Sequence, residues 1–229
     1  MKVENYPQNA TDPSPQEKVS ARACNALDVS VAKLGAAMEP VENWALFDRQ
    51  GRRKYLVSSE RKRFFHAAME GPLADSVFAN LLLHSGCRIS EALAVCPQHI
   101  DVEEQFVVFR TLKKRGRIHI RAVPVPRDFW KRALLMVGRD NTSSAEPIWR
   151  WSRSTAWRKV KRIMARAGIE GVHASPKGLR HGFAVEALAK GAPLTLVKTW
   201  LGHSRLESTQ VYTQVMGAEE RAYAERMWW

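Results

Sequence analysis

Apolar positions along this chain fall into two periods. Val19, Ala23, Leu27, Val31 and Leu34 recur at helical spacing behind a start signal at Ser14-Pro15-Gln16-Glu17, where serine can cap, proline suits the first turn and glutamate completes a capping box. From about Ser58 the pattern becomes continuous, predicting helices over 59–70, 72–85 and 88–96. The stretch Gln105 to Pro126 is different. Phe106, Val107, Val108 and Phe109, then Ile118, Ile120, Val123 and Val125, flank Lys113-Lys114-Arg115-Gly116-Arg117, which predicts strands around a basic turn. Helical spacing returns over 127–137, 152–167, 176–190, 193–201, 205–213 and 218–227. The fold class is therefore mainly α with a small antiparallel β-sheet (α+β).

Boundaries follow from the same pattern. Residues 1–13 are rich in Asn, Pro and Gln and carry little that could be buried. Residues 39–57, with Pro40, Gly51 and Arg52-Arg53-Lys54, read as a connection. We expect an N-terminal extension over 1–57 with one helix near 15–35, a main domain over 58–216, and a C-terminal helix or tail over 217–229. Between 175 and 213 the punctuation is legible: Ser175-Pro176 opens a helix that Gly191 closes, and Pro193 opens the next. Gly202 closes that one, and Ser204 with Glu207 forms a second capping box. His203 then occupies a corner between helices, with Tyr212 two turns into the next.

Composition narrows the class. At 229 residues and 45% hydrophobic, the chain can bury a core without disulfides or metal. Thirty-six Lys and Arg against 23 Asp and Glu leave a net charge of +13, and a pI near 10.1 points first to nucleic acid as partner. Cys24, Cys87 and Cys96 are odd in number and lack metal-ligand spacing, as expected of free thiols in a reducing compartment. No apolar signal segment opens the chain and no run spans a membrane. The expected location is cytoplasmic, associated with the nucleoid, and no membrane partner is expected.

Breaking a phosphodiester requires a nucleophile, cations for the non-bridging oxygens, and an acid for the leaving oxygen. Arginine suits the second task because its planar fork matches phosphate and keeps its proton. Arg88 follows the turn His84-Ser85-Gly86-Cys87 at a helix start; Lys177 and Arg180 share one helix face; His203 holds the inter-helix corner. On these residues the sequence resembles the tyrosine recombinases, the phage-integrase-like enzymes. Gly86-Cys87-Arg88-Ile89-Ser90-Glu91-Ala92-Leu93 is similar to their first arginine box, and Ser175-Pro176-Lys177-Gly178-Leu179-Arg180-His181-Gly182-Phe183-Ala184 to their second. Leu201-Gly202-His203-Ser204, followed by Ser208-Thr209-Gln210-Val211-Tyr212, resembles the third box and its nucleophile. The match covers roughly Ser58 to Val215, with the boxes in order.

The resemblance implies the tyrosine recombinase catalytic-domain fold and a site-specific DNA recombinase working through a 3′-phosphotyrosyl intermediate on Tyr212. Arg88 and Arg180 would stabilise the transition state, His203 would donate to a phosphate oxygen, and Lys177 would contact phosphate where the family commonly has histidine. A lysine of the strand turn would protonate the 5′ oxygen. Lys113 and Lys114 point to opposite strand faces, and Thr111-Leu112-Lys113 fits the family's approach to this turn better. His181 and Glu91 read as supporting residues. No cofactor or metal is implied. The partners implied are double-stranded DNA, further copies in a tetrameric synapse, and an accessory DNA-binding protein, since only residues 1–57 stand where relatives carry a helical DNA-binding domain. Residues 218–229 would pack on a neighbouring subunit. Trp157, Val160 and Met164 predict an apolar helix face, with Arg150, Arg153 and Arg158 contacting DNA backbone. A topoisomerase IB-like activity, or a catalytically silent DNA-binding regulator on the same fold, is the alternative.

Overall fold

The structure, a computed structural model, describes residues 46–112, 118–138, 144–203, 206–214, 225 and 227, all within the second of two units into which the chain divides, Trp44–Trp229. The predicted helix near 15–35, the turn holding Lys113 and Lys114, Ser204, and all but Glu225 and Met227 of the predicted last helix lie outside these residues.

Helix α1 (Ser58–Met69) buries Phe64, Ala67 and Ala68. The side chain of Glu60 accepts from the Val57 N–H at its N-terminus at 3.1 Å. Helix α2 (Leu73–Ser85) is apolar around most of its circumference, the signature of a helix enclosed on all sides, and it packs on α1 and on helices introduced below. A five-residue helix α3 (Ile89–Leu93) and a 3₁₀ turn (Pro97–His99) follow, where one helix over 88–96 was expected. Strands β1 (Ile100–Asp101), β2 (Phe106–Leu112) and β3 (Ile118–Pro124) form an antiparallel sheet in the order β1-β2-β3. Val107 pairs with Val123 and Phe109 with Arg121. Alternation turns Val107, Phe109, Arg121 and Val123 inward.

Helices α4 (Arg127–Val137), α5 (Arg153–Arg166), α6 (Pro176–Ala189) and α7 (Leu194–Leu201) match the expected spans within a residue or two. Helix α2 lies against α4, α5 and α6. The helix expected over 205–213 is broken: α8 (Glu207–Gln210) gives way to a 3₁₀ turn, Val211–Gln214, so Tyr212 sits in the tighter turn. Thr209, Val211 and Thr213 are β-branched, a run that costs helix propensity.

Two apolar clusters result. The larger joins α1 to α6 around Phe64, Phe78, Phe109 and Met164. The smaller gathers Leu46, Tyr55, Phe183, Val197, Leu201 and Tyr212. Residues 46–56, expected as a mere connection, therefore contribute Leu46, Tyr55 and Leu56 to the interior. Cys87 and Cys96 are buried free thiols, as expected, and burial pushes Cys87 up to about 12. No described helix is long and apolar enough to cross a membrane.

Candidate active site

A cleft of about 440 Å3 opens where three helices converge. The start of α3 gives it Cys87, Arg88 and Ser90, the cap and first turns of α6 give Ser175, Lys177, Arg180 and His181, and α5 gives Arg153 and Trp157. Ser175 caps α6 as predicted, its hydroxyl accepting from the Gly178 N–H at 3.1 Å. That cap fixes the turn on which Lys177 and Arg180 sit.

Arg88 stands at the N-cap of α3, 38% exposed at its side chain, and Glu91 holds it from both ends. The Arg88 N–H donates to Glu91 Oε2 at 2.8 Å and its Nη1 to Oε1 at 2.9 Å. Behind Glu91 lies Arg121 of β3, which donates to Oε2 at 2.6 Å, to Thr111 Oγ1 at 2.9 Å, and through Nε to the Trp200 carbonyl at 2.7 Å. Thr111 in turn donates to Glu91 Oε1 at 2.8 Å. Burial alone would raise the Glu91 carboxyl, but the hydrogen bond and charge of Arg121, then the Arg88 N–H and guanidinium, hold it at about 2. One buried carboxylate thus aims one guanidinium at the cleft and ties the sheet to the end of α7.

Arg180 is 6% exposed and fixed by carbonyls. Its Nη1 donates to Gly86 O and its Nη2 to Leu201 O, both at 2.8 Å. Burial, then the like charge of Arg88, lowers it to about 10, so it stays a cation at neutral pH. The next residue, His181, turns Nδ1 to the Tyr212 hydroxyl at 2.9 Å. Tyr212 is fully buried. Burial raises its phenol to about 12 against the pull of Arg180 and Arg88. Its ring stacks on His203 with centroids 6.4 Å apart and planes at 11°, and His203 Nδ1 lies 2.9 Å from Thr209 Oγ1. Burial first, then nearby cations, lowers both histidines to about 3. Both are neutral at pH 7. Lys177 is lowered by burial and by the neighbouring Lys54.

Of the residues singled out in the sequence, Arg88, Lys177 and Arg180 share the cleft. His203 and Tyr212 lie behind it, joined to it by His181 and by the Arg180–Leu201 bond. Lys113 and Lys114 lie outside the described residues. Sequence reasoning missed Arg121 and Thr209, and it misplaced Trp157. The buried face of α5 is Ala156, Val160, Ile163 and Met164, whereas Trp157 is 46% exposed and lines the cleft. Residue 157 stands about 100° around the helix from Ala156 and about 20° beyond Met164, at the edge of the buried stripe where α5 meets the cleft. Glu91 and His181, read as supporting residues, are bonded to a cleft arginine and to the tyrosine respectively.

Comparison with known proteins agrees with this geometry. The phage integrase family model matches residues 54–219. The tyrosine recombinase XerD of Haemophilus influenzae is 30% identical over 158 residues, which is 65% of this chain and 52% of that protein. The chain thus spans about half the length of the curated relatives it matches. Among solved structures, XerA recombinase superposes with a TM-score of 0.62 at 23% identity, covering 76% of this chain and 64% of the other. XerH site-specific recombinase, captured on its palindromic difH substrate after cleavage, gives 0.60 at 19%, covering 75% and 52%. These likenesses show a tyrosine recombinase catalytic-domain fold, and with a matched region that takes in Arg88, Arg180, His203 and Tyr212, the chain belongs to the phage integrase family.

Proposed function

We propose that this chain is a site-specific recombinase that cuts and rejoins double-stranded DNA through a phosphotyrosyl bond to Tyr212. The observation that carries the reading is the pair of guanidinium groups, Arg88 and Arg180, on one cleft whose inner wall leads through His181 to the Tyr212 hydroxyl. Two fixed cations match two non-bridging oxygens of a phosphodiester. Arg180 is held by carbonyls and Arg88 by a carboxylate, so both are oriented before DNA arrives.

In the proposed step the Tyr212 oxygen attacks phosphorus, forming the P–O(Tyr) bond as the bond to the 5′ oxygen breaks. Arg88 and Arg180 take the charge that develops, with His203 and Lys177 as further phosphate contacts. Lys113, at the strand turn, protonates the leaving 5′ oxygen. The 5′-hydroxyl of another strand then attacks the phosphotyrosine and restores a phosphodiester, so no outside energy is consumed. Tyr212 Oη is enclosed in the absence of DNA, so DNA binding has to uncover it. Several copies would act together on DNA, a reading supported by the family resemblance.

A pool of nicked duplexes of randomised sequence tests the proposal. A nick near the cut lets the 5′ fragment diffuse away, so cleavage leaves the protein covalently attached. The wild type is expected to yield adducts of a defined sequence, and Tyr212→Phe none. Adducts that persist in Tyr212→Phe would remove the nucleophile assignment. A wild type that binds DNA and never forms an adduct would favour a regulator.

A further inference from the structure

Attack by Tyr212 requires its phenol to lose a proton, and the residues assigned above do not receive it. Arg88 and Arg180 are cations. Lys177 lines the cleft and is not the partner of the phenol. His203 spends Nδ1 on Thr209 and meets Tyr212 ring to ring. Among the described residues, the hydroxyl of Tyr212 has one hydrogen-bond partner, His181 Nδ1 at 2.9 Å.

His181 has a second feature. It is 1% exposed, yet its Nε2 is buried with no hydrogen-bond partner among the described residues. A polar nitrogen left so costs on the order of 1–3 kcal/mol, which a fold retains where a ligand will satisfy it. The ring lines the cleft that Arg88, Lys177 and Arg180 also line. A cleft walled by those cations attracts an anion, and an anion needs a donor. With the hydrogen on Nε2, Nδ1 turns its lone pair to the phenol.

We propose, building on the recombinase reading above, that His181 is the group that accepts the Tyr212 proton, and that a backbone phosphate next to the scissile one readies it by taking a hydrogen bond from Nε2–H. The step balances. The phenol O–H proton moves to Nδ1 as the oxygen bonds to phosphorus and the 5′ oxygen departs, taking its own proton from Lys113. On religation the imidazolium returns its proton to the phenolate as that leaves. The logic is that of a histidine made basic by an anion on its far nitrogen, with a neighbouring, unreacting phosphodiester in place of a carboxylate. Burial, then Lys177, Arg180 and Lys54, hold the ring at about 3. A phosphate among those cations offsets them and raises the ring's basicity in the complex alone, so the tyrosine stays protonated until DNA is bound.

Two measurements test this. The first is the single-turnover rate of adduct formation on sequences selected from the nicked pool, followed from pH 5 to 9. His181→Asn keeps an acceptor near the phenol and cannot take a proton. It is expected to fall at least about a hundredfold, and imidazole in the buffer is expected to restore part of the rate to His181→Ala. An undiminished His181→Asn rate overturns the proposal while leaving the recombinase reading intact, whereas a wild type without adducts overturns both. The second needs no variant to fold. Nitrogen-15 histidine spectra of the wild type should show His181 protonated at Nε2 and bare at Nδ1, with Nε2 shifting when a selected duplex binds. A proton resident on Nδ1 in the neutral ring would sink the assignment.

Discussion

Glu91 is the residue on which the cleft's electrostatics rest, because its two oxygens serve Arg88, Arg121 and Thr111 together. Its side chain is 5% exposed and that of Arg121 fully buried, so surface screening does little to weaken the pair. Cutting Glu91 back strands Arg121 as a buried, uncompensated cation. Glu91→Ala is expected to cost about 3–5 kcal/mol. In a double-mutant cycle with Arg121→Met, the pair should lose much less than the sum of the single losses. Urea denaturation of the four proteins measures this, and strictly additive losses would show that the pair is not coupled. The pH sign follows from the depressed carboxyl. Stability from Glu91 is complete above its unfolded value near 4.5 and is lost as pH falls toward about 2.

Between elements, the chain around Leu56 lies tightly against α6. The Leu56 N–H donates to the Gly178 carbonyl at 3.3 Å. A Cβ on Gly182 would stand 2.6 Å from the Leu56 carbonyl oxygen, a backbone atom with no side-chain freedom to yield. Gly182→Ala is therefore expected to lose about 1–3 kcal/mol, the usual cost of overpacking, and to loosen the segment that carries Leu46 and Tyr55 into the interior. Denaturation together with faster proteolytic cleavage near residues 46–57 would show it; an unchanged midpoint would mean the approach is not tight. Such contacts mark the limit of what the sequence displays. Helix starts at Ser175 and stops at Gly202 are legible because caps are local chemistry. So are Arg88 and Arg180, which stand in ordered boxes. Arg121 is not legible: strand alternation puts it on the inward face but does not name a carboxylate 30 positions earlier as its partner. Trp157 was lost for a related reason. A large aromatic at helical spacing suggests core, and only the packing of α5 shows Ala156 and Val160 filling that role instead.

Across the whole molecule, burial and the excess of cations together lower three of its histidines. His84, His181 and His203 sit at about 4, 3 and 3. Burial is the first cause in each case. Arg61 adds to it at His84, Lys177 and Arg180 at His181, and Arg180 and Arg88 at His203. An unfolded histidine binds its proton near pH 6.5. Below that pH the unfolded chain takes up protons that the folded chain refuses, so stability is complete above about 6.5 and falls on acidification. Each group contributes roughly 1.4 kcal/mol for each pH unit below 6.5, so moving from pH 7.5 to 5.5 should cost up to about 4 kcal/mol in all. His84→Gln should remove about a third of that loss. Guanidinium denaturation at the two pH values is the measurement, and a stability that does not change between them would refute the neutral assignment. Bound DNA should reverse part of the trend. Phosphates set among Arg88, Lys177 and Arg180 offset the cations that keep His181 and His203 deprotonated, so protonation costs less in the complex. A selected duplex, compared at equal ionic strength, is therefore expected to raise the unfolding midpoint more at pH 5.5 than at pH 7.5. An equal rise at both would mean that the bound phosphates lie too far from the two histidines to affect them.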